Sequence, residues 1–254
     1  TQHLLVAGDA DGRVSVTTLS TYRPIVFWQA HQGAVLRADA WSGYLVTHGR
    51  DHSLRVWKMP DELGSVALSS SMAKILPLPT MLHEMGVNAL NYCAYDMCIR
   101  NEDTPTLDGW LVVPNTLESG WIDLYHVPSQ ERIIESLGRQ ADIRSGTERP
   151  AIVMALRICI LRDILWIVAG YEDGVLQAWT IPVSTMEPTL VWTHKSHAES
   201  IMALSMSPTC DSVLSLGADY NIVRTALHQE AVPHVQRIKR PGHACASIRW
   251  DERV

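Results

Sequence analysis

Four aspartates recur in the same local setting, and this recurrence restricts the possible folds more than any other feature of the chain. Asp11, Asp51, Asp173 and Asp219 each end a small-residue turn between a short apolar run and an alternating run. The segments are Leu4 to Thr18, Tyr44 to Trp57, Leu165 to Trp179 and Val213 to Thr225. Six residues after each Asp stand Thr17, Trp57, Trp179 and Thr225, and four residues before stand Ala7, Thr47, Ala169 and Ser215. Asp11 to Asp51 is 40 residues, and Asp173 to Asp219 is 46. Short runs of β-formers on either side of a Gly- and Asp-rich link read as β-hairpins. A less regular hairpin, Trp110 to Thr116 with Trp121 to His126, falls in the 122-residue interval between Asp51 and Asp173.

Further strands flank the hairpins. Ala34 to Trp41, Val87 to Tyr92, Ile152 to Ile158 and Ser200 to Met206 precede them; Pro24 to Trp28, Arg132 to Ser136, Leu190 to Thr193 and His234 to Ile238 follow. Four short antiparallel strands per ~40–45 residues form the blade of a β-propeller. Ala30-His31, Ser196-His197 and Gly242-His243 stand where a WD repeat carries Gly-His. In that repeat the His bridges the turn Asp and a Ser or Thr hydroxyl, which reaches the Trp indole N–H. A buried polar group must be paired, so a satisfied relay selects one blade geometry. His31, Thr47, Asp51 and Trp57 make a full set. His197, Ser215 and Asp219 make a second with Thr225 in the Trp place, and Asp173 with Trp179 remain of a third.

The expected fold is therefore all-β: one WD40-type β-propeller domain over residues 1–254, with about five four-stranded blades. Met81 to Met85 and Ser129 to Leu137 could form short helical turns. The chain begins and stops at the same point of the repeat. Ala246 to Trp250 could complete the first blade beside Leu4 to Ala7. The expectation preferred here is a six- or seven-bladed ring cut at both ends, because WD repeats usually build larger rings. Three long insertions interrupt the repeat at 59–85, 96–108 and 138–150; loops of this length are functional or mobile. The first is a candidate partner-docking segment.

Composition removes several classes. A net charge of −6 leaves no basic excess for a phosphate backbone. With 46% hydrophobic and 19% charged residues the chain is globular. No apolar run reaches the ~18 residues of a membrane span. Thr1 to Ala10 lacks a basic n-region, so no signal peptide is expected, and Thr1 in place of Met suggests an excerpted chain. Five Cys without a C-x-x-C pair read as reduced, partly buried thiols. Nine Trp against one Phe hint at a repeat, although Trp28, Trp41 and Trp192 lie away from the signature place held by Trp57 and Trp179.

Several segments go beyond the generic pattern. Leu5 to Val14, Arg23 to His31, Val46 to Trp57, Val87 to Cys93, Val113 to Tyr125, Ala169 to Gly174 and Gly217 to Asp219 resemble the ASTRA-associated protein 1 family. Its animal counterpart is the G protein β-subunit-like protein 1. Pro114-Asn-Thr-Leu117 and Ala169-Gly-Tyr-Glu-Asp-Gly174 are the least generic parts of the match, which covers nearly the whole chain. The resemblance implies a non-enzymatic scaffold of the ASTRA assembly. It also implies links to chromatin remodelling and to the maturation of phosphatidylinositol-3-kinase-like kinases, and a mainly nuclear location. Its partners would be assembly subunits and kinase-chaperone factors. Nucleic acid, membrane and small-molecule substrate are not expected as partners.

Chemistry is sparse by comparison. His48 with His52 and His194 with His197 lack a third ligand nearby in sequence, so no metal is expected. Glu172-Asp173 and Asp9 with Asp11 read as turn residues rather than paired catalytic carboxylates. No nucleophile elbow, phosphate loop or EF-hand spacing is present, so no cofactor and no catalytic residue is expected. Arg237, Lys239 and Arg240 read as a solvated strand end. Propellers usually bind partners through the face where these turns emerge, which makes Asp9, Arg50, Tyr171 and Glu172 the candidate partner residues. Two other readings stand beside the scaffold: a G protein β-like signalling adaptor, and a propeller enzyme or ligand receptor that uses a central channel.

Overall fold

The computed structural model describes residues 3–41, 43–60, 77–88, 93–100, 108–139, 150–228 and 233–239. Among them, nineteen strands form five antiparallel sheets. Blade 1 is β1 (Leu4–Gly8), β2 (Arg13–Thr18) and β3 (Arg23–Gln29). Blade 2 is β4 (Val35–Trp41), β5 (Tyr44–Gly49), β6 (Ser53–Lys58) and β7 (Thr80–Gly86). Blade 3 is β8 (Asp96–Ile99), β9 (Gly109–Pro114), β10 (Ile122–Val127) and β11 (Arg132–Leu137). Blade 4 is β12 (Val153–Leu161), β13 (Ile164–Tyr171), β14 (Val175–Pro182) and β15 (Thr189–Lys195). Blade 5 is β16 (Ile201–Met206), β17 (Ser212–Gly217), β18 (Asn221–Ala226) and β19 (His234–Arg237). In every blade the strands lie in chain order.

The chain divides into two compact units. One comprises Thr1–Leu90 with Glu102–Leu107 and holds blades 1 and 2; the other comprises Asn91–Asn101 with Asp108–Val254 and holds blades 3 to 5.

Burial explains the strand composition. β2 alternates, with Val14, Val16 and Thr18 buried and the residues between them partly or fully open. β13 is buried at every position but its first, because neighbouring blades cover both faces of a blade's inner strands. Val, Ile, Leu and Trp suit such a strand, and each fully buried side chain of this size contributes roughly 1.5–3 kcal/mol. In the first unit, the Trp28 and Trp57 rings meet edge to face with centroids 5.5 Å apart. They share one core with Val14, Val26 and Leu45.

Adjacent blades are stitched by backbone at the turn end, in the same way in each unit. The Gly12 carbonyl accepts from the Ala30 and His31 N–H groups at 3.0 and 2.9 Å. The Gly174 carbonyl accepts from Ser196 and His197 at 3.2 and 3.1 Å. Both glycines have positive φ, +85° and +84°. A Cβ at Gly12 would stand 2.1 Å from the His31 carbonyl oxygen, and one at Gly174 2.3 Å from that of His197. Only Gly meets both demands.

Several expectations need correction. Blade 1 has three strands among the described residues, and the strand expected to complete it, Ala246 to Trp250, lies outside them. The 59–85 insertion is not wholly a loop: most of β7 lies inside it, and Met81 to Met85 are strand rather than helix. Residues 61–76 of that insertion lie outside the described residues. The first strand of blade 3 is Asp96–Ile99, inside the expected 96–108 insertion, and not Val87 to Tyr92. Val87 and Asn88 are not in a strand, and 89–92 lie outside the described residues. Ser129 to Leu137 is not a helix, because its last six residues are β11. Residues 140–149, His243 and Ala246 to Trp250 also lie outside the described residues.

Candidate functional site

The blade 2 relay is assembled from β5, β6 and the loop before β4. His31 Nδ1 lies 2.9 Å from Asp51 Oδ1, and its Nε2 lies 2.7 Å from Thr47 Oγ1. Trp57 Nε1 donates to the same hydroxyl at 2.9 Å. A carboxylate only accepts, so Nδ1 carries the His31 proton and Nε2 is left as an acceptor. Thr47 then donates to His31 and accepts from Trp57, and every group is paired. His31 and Thr47 are fully buried, at 1% and 0% exposure. Burial lowers the His31 pKa, which keeps the ring neutral; the Asp51 hydrogen bond offsets this in part. Burial alone would raise the Asp51 carboxyl. Bonds from the Gln32 N–H, the Ser53 hydroxyl and His31 outweigh it and hold the group at about 2.

Two members of this cluster were not visible from the repeat pattern. Ser53 donates to Asp51 Oδ1 at 2.8 Å. Arg55 lies 3.4 Å from Asp51 Oδ2, bonds Glu84 Oε1 at 2.6 Å and donates to the Ala30 carbonyl. Ser53 and Arg55 lie two and four residues after Asp51, on the strand leaving the turn, so their spacing held the signal.

Blade 5 repeats the first half of the relay. His197 Nδ1 lies 3.1 Å from Asp219 Oδ1, and Nε2 lies 2.8 Å from Ser215 Oγ. Burial opposes ionisation of Asp219, but bonds from His197, the Asn221 N–H and the Ala198 N–H pull its pKa down. Thr225 stands where Trp57 stands in blade 2, and it is too short to reach. Its Oγ1 is buried without a partner, and the residue is 1% exposed. Thr225→Val should therefore raise the unfolding free energy by about 1 kcal/mol, read from urea unfolding, because an unpaired buried hydroxyl is removed at constant shape. A loss above ~1 kcal/mol would contradict this reading.

Blade 4 does not form the relay. The position four before Val153 is Arg149 where blades 2 and 5 have His, and Ala169 has no hydroxyl. The Asp173 carboxylate is exposed and, among the described residues, accepts only from the Val175 N–H, at 3.0 Å. Trp179 stays buried in the core, at 3% exposure. Blade 3 uses different chemistry. Asn115 Nδ2 donates to the buried Asp123 at 2.8 Å, while its Oδ1 accepts from the Leu117 and Glu118 N–H groups, both at 2.9 Å. Arg132 pairs with Asp123 at 3.5 Å. The Pro114-Asn-Thr-Leu117 segment is this turn.

The candidate partner residues separate. Asp9, Arg50 and Glu172 are exposed at turns. Asp9 Oδ1 caps its own turn, accepting from Asp11 and Arg13 N–H groups at 3.0 and 2.8 Å. Glu172 Oε1 accepts from the Ile152 N–H at 3.1 Å. Tyr171 does not belong with them: it is 5% exposed, packs in the core and donates to Gln177 Oε1 at 3.0 Å. It is the last residue of β13, where both faces are covered. Tyr220 is an exposed turn aromatic that the spacing did not single out, with Arg237 5.8 Å from its ring centre; Arg240 lies outside the described residues.

His48 is buried, and burial followed by the nearby His31 lowers its pKa to about 4. Among the described residues, no group of three or more His, Cys, Asp or Glu is placed to hold a metal ion. No helix there is long and apolar enough to cross a membrane. Cys93, Cys98, Cys159 and Cys210 are free thiols.

Four-stranded blades tied by a turn Asp, a buried His and a hydroxyl define a WD-type β-propeller. Solved structures agree on the fold. The crystal structure of Saccharomyces cerevisiae Sqt1 matches with a TM-score of 0.70 at 14% identity, over 98% of this chain and 62% of that one. The computationally designed Ika8 protein matches with a TM-score of 0.50 at 16% identity, over 94% of this chain and 56% of that one. At such identities the likeness concerns fold alone. No family model matches the chain. Curated relatives are more specific. ASTRA-associated protein 1 of Verticillium alfalfae is 33% identical over 87% of this chain and 54% of its own length. That of Penicillium rubens is 31% identical over 98% and 67%, and that of Aspergillus niger 30% over 98% and 69%. The chain belongs to the ASTRA-associated protein 1 family. It spans about half to two thirds of the length of these relatives.

Proposed function

We propose that the chain is a protein-interaction scaffold and a component of an ASTRA assembly, with no catalytic chemistry of its own. The observation that carries this is the match to ASTRA-associated proteins over 98% of the chain. The geometry supports it: backbone stitching and the relay hold the blade ends, and exposed Asp9, Arg50 and Glu172 project from those ends. Turns on a rigid scaffold suit recognition. The partners are other assembly subunits and kinase-chaperone factors. The assembly's work is chromatin remodelling and maturation of phosphatidylinositol-3-kinase-like kinases, and the protein acts in the nucleus, with a further cytoplasmic pool. The net charge of −6 argues against direct nucleic-acid binding.

Affinity purification of the tagged full-length protein from its own cells tests the reading. Subunits of the assembly and kinases of this class are expected in near-constant ratio to the bait. Charge reversal at Asp9, Arg50 and Glu172 together should cut their recovery about tenfold or more while the fold is retained by circular dichroism. Recovery of the bait without these subunits would refute the proposal.

A further inference from the structure

Two buried thiols meet where blade 4 packs on blade 5, within one compact unit. Cys159 lies on β12 and Cys210 on the turn between β16 and β17, and both belong to one core cluster. Both are free thiols, and their side chains hydrogen-bond each other. Separate contacts bring the same two positions together. Cys159 stands opposite Trp166 in the β12–β13 register. The Trp166 ring meets His228 edge to face, with centroids 4.7 Å apart, and His228 Nε2 donates to the Cys210 carbonyl at 2.9 Å.

The turn holds its thiol in place. The Cys210 N–H donates to the Ser207 carbonyl at 2.9 Å, and the Ser207 hydroxyl accepts from the Asp211 and Ser212 N–H groups at 3.0 and 3.2 Å. Cys210 has φ +51°, a left-handed conformation that Gly adopts freely and a side chain adopts at a cost. A thiol therefore stands where Gly would fit with less strain. Its neighbours Thr209 and Asp211 are exposed, so a small oxidant can reach the turn.

The two sulfurs are chemically unequal. The Cys159 S–H donates to the Cys210 sulfur, which holds the Cys210 pKa below the usual thiol value against burial and the Asp211 carboxylate. The same bond, with burial, raises that of Cys159. The thiolate is the attacking form, and an adjacent thiol can resolve what it becomes. Cys98 on β8 also lies near both, but burial raises its pKa, which keeps it a thiol.

We propose that Cys159 and Cys210 are a redox pair that hydrogen peroxide converts into a disulfide joining blades 4 and 5. The Cys210 thiolate attacks one peroxide oxygen, the O–O bond breaks, and a sulfenic acid forms as the other oxygen leaves as hydroxide. The Cys159 sulfur then attacks the sulfenic sulfur, the S–O bond breaks, and that hydroxyl leaves with the Cys159 proton as water. The two thiols lose two electrons and two protons, and the peroxide becomes two waters. The Gly174 carbonyl stitches these blades at the Asp-turn end. Cys210 precedes β17 and Asp219 follows it, so the disulfide fastens the opposite end. It bridges positions 51 residues apart, a span whose closure constrains the unfolded chain strongly.

Peroxide treatment of the purified folded chain, followed by thiol blocking and mass mapping of non-reduced peptides, tests this. A Cys159–Cys210 cross-link is expected, with the melting temperature raised by roughly 5–15 °C and restored by dithiothreitol. Cys98→Ser should still form it. Cys159→Ser, with fold retained by circular dichroism, should leave a sulfenic acid on Cys210 that dimedone labels; no label there would overturn the order of attack. Three results on the parent chain would each overturn the proposal: no Cys159–Cys210 link, either residue joined to another cysteine instead, or a link that leaves the melting temperature unchanged. These readouts do not depend on partner recovery, so the redox pair and the scaffold reading stand or fall separately.

Discussion

Asp51→Ala will lower the unfolding free energy by about 3 kcal/mol, the largest loss expected from any turn Asp. Thermal melting should show a fall of roughly 6–12 °C for a protein of this size. The side chain accepts from His31, Ser53 and the Gln32 N–H, and it is only 12% exposed. Removal leaves the Gln32 N–H without its acceptor and the buried His31 N–H with only the Ser53 hydroxyl, 3.1 Å away. Asp173→Ala removes the same residue of the same motif, yet its carboxylate is exposed and takes one backbone N–H. That loss should stay within about 0.5–1 kcal/mol. Equal losses at the two positions would show that the relay contributes nothing beyond turn propensity. The carboxyl itself supplies a control. Its folded pKa of about 2 lies below the ordinary 3.8. The stability it contributes is therefore present above pH ~4 and lost as pH falls toward 2, about 2 kcal/mol in all. Asp51→Asn should flatten that acid limb.

A second large effect lies at milder acidity. His48 is 0% exposed, and its pKa drops from 6.5 to about 4. The folded state thus binds fewer protons than the unfolded state across this interval, and stability falls as pH falls. His48 alone should cost about 3 kcal/mol between pH 6.5 and 4. His31, lowered by burial as well, acts in the same direction. Urea unfolding of His48→Gln from pH 7 to 4.5 should give a slope shallower by roughly 1.4 kcal/mol per pH unit, whatever the substitution costs at pH 7. Parallel profiles for parent and variant would exclude His48 as the group responsible.

The parts of the fold that were legible in the sequence are those that hydrogen-bond chemistry ties to fixed offsets. Relay members must meet across one hairpin, so Thr47, Asp51 and Trp57 keep their spacing and blade 2 can be read directly. β7 escaped because long intervening sequence separates it from β6. Its Met81 and Met85 sit four apart, which imitates a helical stripe until pairing with β6 sets the period at two. β8 escaped because four residues carry little pattern, and its strand signal was given to Val87 to Tyr92 instead. Blade 3 holds its turn with Asn115 and Asp123, a pair that the Asp-His pattern does not describe. Tyr171 looked like a turn residue by position, and only packing showed it to be core. The missing hydroxyl at Ala169 was visible from the start.

The proposed function gives relay and turns separate tasks: the buried groups hold the blade ends, and the exposed tips are the surface proposed for partners. Amide hydrogen exchange on the free protein and on the purified assembly separates the two most directly. Amides of β5 and β6 should exchange slowly in both states. Residues 9–12, 50–52 and 172–174 should exchange at least about tenfold more slowly in the assembly than in the free protein. Protection in the assembly that leaves all three turns unchanged would contradict this division of labour.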